Sequence, residues 1–316
     1  MSYKSIIHQI KRKNVDVLVL GDFMLDHYVY GNVDRLSPEA PIPIVRYKNE
    51  SFNLGGAGNV LHNLCNLGVR VHPVGIIGND DPGTLVKNMI EDLISYNCLI
   101  KSDNNRTVQK TRVVGDKQQI VRIDKDTIST SDKDTLLILD KIRSIIDNVS
   151  AVIISDYAKG VCSAEVVKET IKQSKIKNIP VFIDPKGDDF SKYSLATCIT
   201  PNLAEAKEII TKNINDEKSS ISAAKYLKND LNIDSCIITL GENGLVYADE
   251  KEEFHINAIK KEVYDVSGAG DTIISSFTAA MVSGIDTYDA LCFANYAASS
   301  VITHHGTHPI NIKEIY

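Results

Sequence analysis

Short runs of apolar, often β-branched residues alternate along this chain with longer stretches of helical periodicity. The pattern predicts strands and helices by the spacing of their apolar positions. The predicted strands are Val15–Leu20, Val71–Ile77, Ala151–Ser155, Pro180–Asp184, Cys198–Thr200 and Ser235–Leu240, and the predicted helices are Ala57–Leu67, Ala164–Lys175, Leu203–Thr211 and Ser219–Leu231. This alternation predicts an α/β fold whose mostly parallel sheet carries helices on both faces.

Polar or glycine residues close several of these predicted strands. They are Gly21 and Asp22, Asp156, the run Asp184-Pro185-Lys186, Asn202 and Gly241. In parallel α/β sheets, ligands bind beyond the carboxyl ends of the strands. The sequence therefore predicts a ligand site at that edge of the sheet.

Two stretches, Tyr28–Tyr47 and Thr107–Asp124, break the alternation. The first contains three prolines among Ile and Val, and the second has Val, Thr and Ile with polar interruptions and no helical period. Because proline is confined to the edges of sheets, we expect extended β segments that stand apart from the main sheet as a lid. Since no Ser/Gly/Pro-rich linker interrupts the chain, residues 1–316 are predicted to form a single domain with lid segments at about 28–47 and 107–124.

Composition narrows the partners. The 316 residues are 43% hydrophobic and 24% charged, with a net charge of −6 and no Lys/Arg block, so we expect no nucleic-acid partner. The N-terminus lacks an apolar signal segment, and no run approaches 18 apolar residues, so neither export nor membrane insertion is expected. The six cysteines form no Cys-x-x-Cys pair, which favours reduced thiols in a cytoplasmic protein.

The segment Asp265-Val266-Ser267-Gly268-Ala269-Gly270-Asp271-Thr272 precedes apolar residues at helical spacing, so Gly268-Ala269-Gly270 is predicted to open a helix. The first N–H groups of a helix are unpaired and lie at the positive end of its dipole. They would form an anion hole for a phosphoryl group. Asp271, in the first turn, is placed to accept a proton from an attacking hydroxyl. On this segment alone, a glycine turn with a capping Asp is an equally good interpretation.

Further motifs follow the same strand-to-helix arrangement. They are Leu54-Gly55-Gly56-Ala57-Gly58-Asn59, Thr200-Pro201-Asn202-Leu203-Ala204-Glu205 and Thr239-Leu240-Gly241-Glu242-Asn243-Gly244. In this order, and from about Val17 to Thr307, the chain resembles the PfkB (ribokinase-like) family of carbohydrate kinases. The resemblance implies a ribokinase-like fold and an enzyme that transfers a phosphoryl group from ATP to a sugar, with Mg²⁺.

The resemblance also implies roles for individual residues. Asp271 would be the catalytic base, with Gly268, Ala269 and Gly270 as the anion hole. Asn202 and Glu205 would organise Mg²⁺ through water, although Asn202 at the N-cap and Glu205 at N3 would equally form a capping box. The implied nucleotide-binding residues are Asn202, Leu203, Ala204, Glu205, Thr239, Gly241, Gly244 and Asn295.

A narrower resemblance rests on the runs Gly21–Tyr28, Arg35–Pro43 and Asp184–Phe190. They are similar to the D-glycero-β-D-manno-heptose 7-phosphate kinase branch of the family, which implies phosphorylation of the sugar O1. The residue types agree in part: Asp22 and Asp26, at the carboxyl end of a strand, could accept from sugar hydroxyls, and Lys186, Arg112 and Arg122 are candidates for the sugar phosphate. With Gly55, Gly56 and Asn59 of the second glycine loop, they are the predicted sugar-binding residues. For Asp26 and the arginines, solvated charge on the lid is the competing interpretation.

Two other functions stay open. One is a PfkB kinase acting on ribose, fructose or a phosphorylated ketose, and the other is a sugar-binding protein without catalysis on the same scaffold. The lid segments are apolar at alternate positions, and an uncovered apolar sheet face promotes aggregation. We therefore expect a two-fold homodimer that covers one lid with the other.

Overall fold

The computed structural model describes residues 1–96, 99–116, 118–126, 130–210, 214–304 and 306–315. Its strands are, in chain order, β1 (Asp16–Gly21), β2 (Phe23–Leu36), β3 (Pro43–Gly56), β4 (Arg70–Val74), β5 (Ile76–Gly78), β6 (Ile100–Ser102), β7 (Val108–Gly115), β8 (Gln118–Lys125), β9 (Ala151–Ser155), β10 (Val181–Asp184), β11 (Cys198–Ile199), β12 (Ser235–Thr239), β13 (Leu245–Ala248) and β14 (Glu253–Ile256). Its helices are α1 (Tyr3–Lys13), α2 (Ala57–Leu67), α3 (Asp81–Glu91), α4 (Asp132–Ile145), α5 (Ala164–Ile176), α6 (Leu203–Ile209), α7 (Glu217–Asp230), α8 (Ala269–Val282), α9 (Thr287–Val301) and α10 (Ile312–Ile315).

The main sheet has the strand order β14-β13-β12-β11-β10-β9-β1-β4. Pairing is parallel from β4 to β12 and antiparallel at β13 and β14. Alternate residues of β1 point to opposite faces: Val17 and Val19 join one apolar cluster, and Leu18 and Leu20 join the other. Both faces are therefore buried under helices, which confirms the predicted mostly parallel α/β fold.

A second sheet, which we call the lid sheet, has the order β3-β2-β7-β8. Strands β2 and β3 are antiparallel, β2 and β7 parallel, and β7 and β8 antiparallel. Both predicted lid segments are extended, but the hairpin is longer than expected because pairing continues down to Phe23 opposite Gly56. Its prolines avoid the strand interiors, since Pro38 and Pro41 lie in the connecting turn and Pro43 is the first residue of β3.

Other predicted bounds differ by a few residues. The strand predicted at Val71–Ile77 is two strands, β4 and β5, which separate at Gly75. A Cβ atom at Gly75 would lie 2.6 Å from the carbonyl oxygen of Gly21 and from the Phe23 ring, so the chain passes close to the start of β2 there. Strand β5 then leaves the main sheet and pairs with β6. The predicted end of the third helix, Thr211, lies outside the described residues.

Across the described ranges, helices are either too short or too polar to span a lipid bilayer.

Candidate active site

Two adjacent clefts lie at the carboxyl edge of the main sheet. The first, of about 650 Å³, is bounded by the ends of β10 and β12 and the starts of α6 and α8. Its lining includes Asp184, Lys186, Asn202, Leu203, Ala204, Glu205, Thr239, Gly241, Gly268, Ala269, Gly270 and Asp271. The second, of about 660 Å³, is lined in part by Gly244 and Asn295 and shares Thr239, Gly241, Ala269 and Gly270 with the first. The fold thus brings together the residues predicted for the base, the anion hole and the nucleotide.

Helix α8 begins at the junction of the two clefts. Its N-cap, Gly268, has a φ of 83°, and a Cβ atom there would lie 2.7 Å from the side-chain nitrogen of Asn59. Only glycine fits this position without strain. The Ala269 amide donates to the Val266 carbonyl at 3.2 Å. By contrast, the amides of Gly270 and Asp271 have no acceptor within the described ranges, so they are the donors that an anion would meet.

Gly270 leaves space for that anion. A Cβ atom at this position would have only Asp184 Oδ2 within 4 Å, at 3.8 Å. The space in front of the α8 amides is therefore open, and a side chain at residue 270 would project into it.

Asp271 is buried, with 2% of its surface exposed. Its Oδ2 accepts from Asn59 Nδ2 at 2.8 Å, and its Oδ1 accepts from the Tyr157 hydroxyl at 2.8 Å. Burial raises its pKa to about 6, although both hydrogen bonds favour the carboxylate and oppose the shift. A carboxyl group with this pKa is ionised at neutral pH and still basic enough to take a proton.

Tyr157 is a residue of this site that the sequence analysis did not single out. It follows Asp156 after β9, and its own N–H donates to Asp22 Oδ2 at 2.9 Å. The Tyr157 phenol therefore contacts Asp271 while its own backbone is fixed by the hydrogen bond to Asp22. Its position at the end of a parallel strand, in the run Ser155-Asp156-Tyr157, was the signal that could have identified it.

Asp22 lies beneath that loop rather than at an open face. Its carboxylate accepts from the backbone N–H groups of Tyr157, Lys159 and Val161 at 2.9, 3.0 and 3.1 Å. Burial and the neighbouring Asp156 raise its pKa to about 6, against the effect of these bonds. The Asp22 carboxylate therefore binds the backbone of the Tyr157 loop. Its predicted contact with the sugar is not part of that arrangement.

Asp26 and Arg112 form a buried pair on the lid sheet. Arg112 Nη1 donates to Asp26 Oδ1 at 2.6 Å, and Asp26 Oδ2 accepts from the Thr307 hydroxyl. The Arg112 guanidinium also lies over the Tyr28 ring, 5.2 Å from its centroid. Solvated lid charge is therefore the wrong interpretation for Asp26 and Arg112. It does fit Arg122, whose half-exposed guanidinium makes two bonds of 2.9 Å to Asp124.

Gly55 and Gly56 allow the lid hairpin to pass close to these carboxylates. A Cβ atom at Gly55 would lie 2.6 Å from Asp26 Oδ2, and one at Gly56, where φ is 56°, would lie 2.5 Å from the Asp22 carbonyl oxygen. Helix α2 starts directly afterwards and carries Asn59 to Asp271. The glycines thus set the approach of β3 rather than offering groups of their own.

Asn202 and Glu205 form the capping box of α6. Asn202 Oδ1 accepts from the Glu205 amide at 3.0 Å, and Glu205 Oε2 accepts from the Asn202 amide at 2.9 Å. The other carboxylate oxygen of Glu205 accepts from Lys186 Nζ at 2.7 Å. The capping interpretation is therefore realised, and Lys186 lies in the first cleft beside α6.

Asp184 is a second site residue without a role in the sequence analysis. It ends β10, lines the first cleft and accepts from the Thr200 hydroxyl at 3.4 Å. Burial and the charges of Asp271 and Glu205 raise its pKa well above the usual range. A cluster of carboxylates that raise one another's pKa in this way is suited to a divalent cation, which prefers oxygen ligands. The Asp-Pro-Lys run at a strand end was its sequence signal.

The second cleft is lined by small and apolar residues together with the charged residues Glu242, Lys260 and Lys261. Gly241 has a φ of 60° and no atom within 4 Å of its Cβ position, and Gly244 has a φ of 87°. Asn295, from α9, donates to the Asn257 carbonyl at 2.9 Å and lines the same wall. Thr239 pairs with Asn202 through a bridge that joins the two clefts. A volume of this order suits a small organic ligand.

Comparison with known proteins identifies the class. The family model for pfkB family carbohydrate kinases matches residues 14–314. The chain therefore belongs to the PfkB family, which confirms the resemblance found in its motifs, and its class is ATP-dependent sugar kinase.

Particular relatives share more of the sequence. The bifunctional protein HldE of Campylobacter curvus (strain 525.92) is 42% identical over 307 residues, which cover 96% of this chain and 64% of that protein. The bifunctional protein HldE of Campylobacter concisus (strain 13826) is 44% identical over 305 residues, with the same coverage of 96% and 64%. The chain thus spans about 64% of the length of these relatives.

Solved structures confirm the ribokinase-like fold. Phosphofructokinase-2 from Escherichia coli, in complex with substrates and products, superimposes with a TM-score of 0.82 at 15% identity, covering 95% of this chain and 97% of that one. Arabidopsis thaliana ribokinase, complexed with ribose and ATP, gives a TM-score of 0.75 at 20% identity, covering 95% and 97%. At these identities the likeness concerns the fold alone.

Proposed function

We propose that this chain phosphorylates O1 of D-glycero-β-D-manno-heptose 7-phosphate with ATP, to give the 1,7-bisphosphate and ADP. The observation that carries the chemistry is Asp271, buried beside the open amides of α8 and held by Asn59 and Tyr157. The choice of sugar rests on the resemblance of the Gly21–Tyr28, Arg35–Pro43 and Asp184–Phe190 runs to heptose 7-phosphate kinases.

In the proposed reaction, the O1 hydroxyl of the sugar attacks the terminal phosphorus of ATP. Its proton passes to Asp271, the new O1–P bond forms, and the bond from that phosphorus to the β–γ bridging oxygen breaks to release ADP. The amides of Gly270 and Asp271 donate to the transferring phosphoryl oxygens and stabilise their charge. Since this transfer depends mainly on positioning and electrostatics, a base with a pKa of about 6 is sufficient.

Magnesium fits the carboxylates of the first cleft. Asp184 and Glu205, with Asn202, would hold the ion, in part through water, and the ion would supply positive charge to the phosphates of the nucleotide. The raised pKa of Asp184 supports this assignment, because burial and the charges of Asp271 and Glu205 destabilise its carboxylate, which a bound cation would stabilise. Lys186 neutralises Glu205 from the other side and would be displaced or shared when a cation binds.

The sugar would lie between the lid sheet and Asp271. Asp26 would accept from a sugar hydroxyl, with Arg112 setting the direction of its carboxylate. Asn59 holds the base, and Arg122 would reach the sugar phosphate only by exchanging its two bonds to Asp124. The order of these groups, from Asp271 to the lid, suits a substrate whose phosphate is distant from the reacting hydroxyl.

The decisive experiment measures ADP release with ATP and a panel of acceptors. We expect kcat/KM for D-glycero-β-D-manno-heptose 7-phosphate to exceed that for ribose, fructose and fructose 6-phosphate. The product should then carry its new phosphate on the anomeric oxygen by ³¹P NMR. Preference for a pentose or hexose would replace the heptose proposal, and absence of turnover with every sugar would favour a binding protein.

We also propose a homodimer through the lid sheet. The lid sheet and its connecting turn expose several large apolar side chains, namely Leu36, Ile42, Tyr47, Val121 and Ile123. Such a surface is normally covered in solution, and a second copy would cover it symmetrically. Replacing Ile42 and Ile44 with Lys should shift the protein from dimer to monomer in sedimentation velocity and raise KM for the sugar. A wild-type chain that sediments as a monomer at micromolar concentration would contradict this.

A further inference from the structure

The basic side chains around the site differ in whether a carboxylate neutralises them. Lys186 is paired with Glu205, Lys192 with Asp156, and Lys159 with Asp126. On the lid, Arg112 is paired with Asp26 and Arg122 with Asp124. Lys110, on β7, has no ion pair or hydrogen-bond acceptor for its Nζ in the part of the chain that the structure describes.

The strand register directs Lys110 to the same face as the sugar-binding candidates. It lies opposite Asp26 on β2 and opposite Asp124 on β8, and Arg112 follows it two residues later. Because side chains alternate between the faces of a strand, Lys110, Arg112 and Asp26 share one side of the lid sheet. Lys110 is thus the basic residue on this face that lies directly opposite Asp26.

The ammonium group is held close to the catalytic centre. Lys110 Nζ lies over the Tyr157 ring, 5.1 Å from its centroid, and the hydroxyl of that ring bonds to Asp271. Stacking on an aromatic face attracts a cation and fixes its position. The charge of Lys110 also acts on Asp271, where it favours the carboxylate.

Lys110 is half-buried, and burial lowers its pKa despite the attraction of Asp26. A partly desolvated ammonium without a carboxylate partner is stabilised by an incoming anion. We infer that Lys110 binds a phosphoryl oxygen at the lid side of the active site. This inference rests on the proposed sugar-kinase function and adds a specificity residue to it. The phosphoryl group is either the distal phosphate of the sugar or the group transferred from the nucleotide.

The test compares Lys110→Met and Lys110→Arg with wild type, using ATP and either heptose 7-phosphate or the same heptose without its phosphate. Lys125→Met is the matched control, since Lys125 is an exposed lysine of β8 opposite Gln109, on the other face of the lid sheet. If Lys110 binds the distal phosphate, Lys110→Met raises KM for heptose 7-phosphate roughly 10- to 100-fold and leaves the unphosphorylated sugar within threefold. If it binds the transferring group, kcat falls by a similar factor with both sugars.

Either pattern, with partial recovery in Lys110→Arg and none of the loss in Lys125→Met, supports the inference. Values within threefold of wild type for both sugars would overturn it, as would an equal loss in Lys125→Met. Melting temperatures are recorded for every variant, and Lys110→Gln replaces Lys110→Met if the latter does not fold. Failure of the wild-type enzyme to use any sugar would instead contradict the proposed function, so the two failures are distinguishable.

Discussion

The nucleotide side and the lid side of the site differ in how their polar groups are satisfied. On the nucleotide side, the α8 amides open onto clefts of about 650 and 660 Å³. On the lid side, Asp26 is already bonded to Arg112 and Thr307. In the proposed function, the phosphate-binding half would be preformed by a helix start, whereas a sugar would have to exchange existing hydrogen bonds for its own. Exchange of this kind gives selectivity, because a ligand that cannot replace the lost bonds leaves a buried group unpaired.

Asp271 lies between the α8 amides and the lid, and removing its charge should cause the largest loss of activity. Asp271→Asn is expected to lower kcat by about 10²–10⁴, the usual contribution of a positioned general base. Its fold should survive. The folded pKa of about 6 lies above the ordinary 3.8, so the Asp271 carboxyl group stabilises the fold in its protonated form, and this contribution is lost as pH rises from 3.8 through about 6. At pH 7 the neutral amide should therefore melt no lower than wild type. Turnover within threefold of wild type would rule out Asp271 as the base.

Gly270→Val tests the proposed phosphate site at the start of α8 without changing the lid. The valine fits the open space in front of α8, so folding should be retained, but its methyl groups would occupy the position proposed for the transferring phosphoryl group. We expect kcat to fall about 10²–10³, as for loss of one oxyanion donor, with little change in KM for the sugar. Gly270→Ala, one methyl group larger than wild type, should show a smaller loss. A collapse of sugar affinity with an unchanged kcat would assign this helix start to the sugar.

Tyr157→Phe tests whether the Tyr157 hydroxyl lowers the pKa of Asp271. Asp271 is faced by Tyr157, Asn59, Asp26, Lys110 and Asp184. The Tyr157 bond favours the carboxylate, so its loss should raise the pKa of Asp271 and move the acid limb of kcat/KM to higher pH by about one unit. Tyr247→Phe is the control, because it removes a 2.7 Å bond from the Tyr247 hydroxyl of β13 to Asp249 in the turn that follows this strand. An unmoved acid limb would show that Tyr157 does not act through Asp271.

Glu205→Gln should cause the smallest loss of activity. This variant distinguishes the helix-capping role of Glu205 from its proposed role in binding Mg²⁺. Glutamine can still accept from the Asn202 amide, so the melting temperature should change little. The lost charge should raise the Mg²⁺ concentration for half-maximal activity roughly tenfold. A lower melting temperature with an unchanged Mg²⁺ response would leave Glu205 with the capping role alone.

Local patterns were sufficient for much of the fold. Apolar periodicity located the α2 start at Ala57 and strand β9 at Ala151–Ser155, because a buried parallel strand must be apolar throughout. The glycines of Gly268-Ala269-Gly270 indicated the start of α8, because a φ of 83° at Gly268 is open to few other residues. Strand ends were less well predicted. The apolar run Val71–Ile77 predicts one strand, but the structure has two, which separate at Gly75 where the chain contacts Phe23.

The sequence by itself determined the class of protein, the base candidate and the helix start beside it, since each depends on residues that are neighbours in the chain. Only the tertiary structure decided the partners of those residues. It turned Asp22 inward to three backbone amides, paired Arg112 with Asp26, and placed Tyr157 and Lys110 beside Asp271. These contacts join residues that are far apart in sequence, and their distances are set by strand pairing within the lid sheet and by the loops that follow the strands of the main sheet.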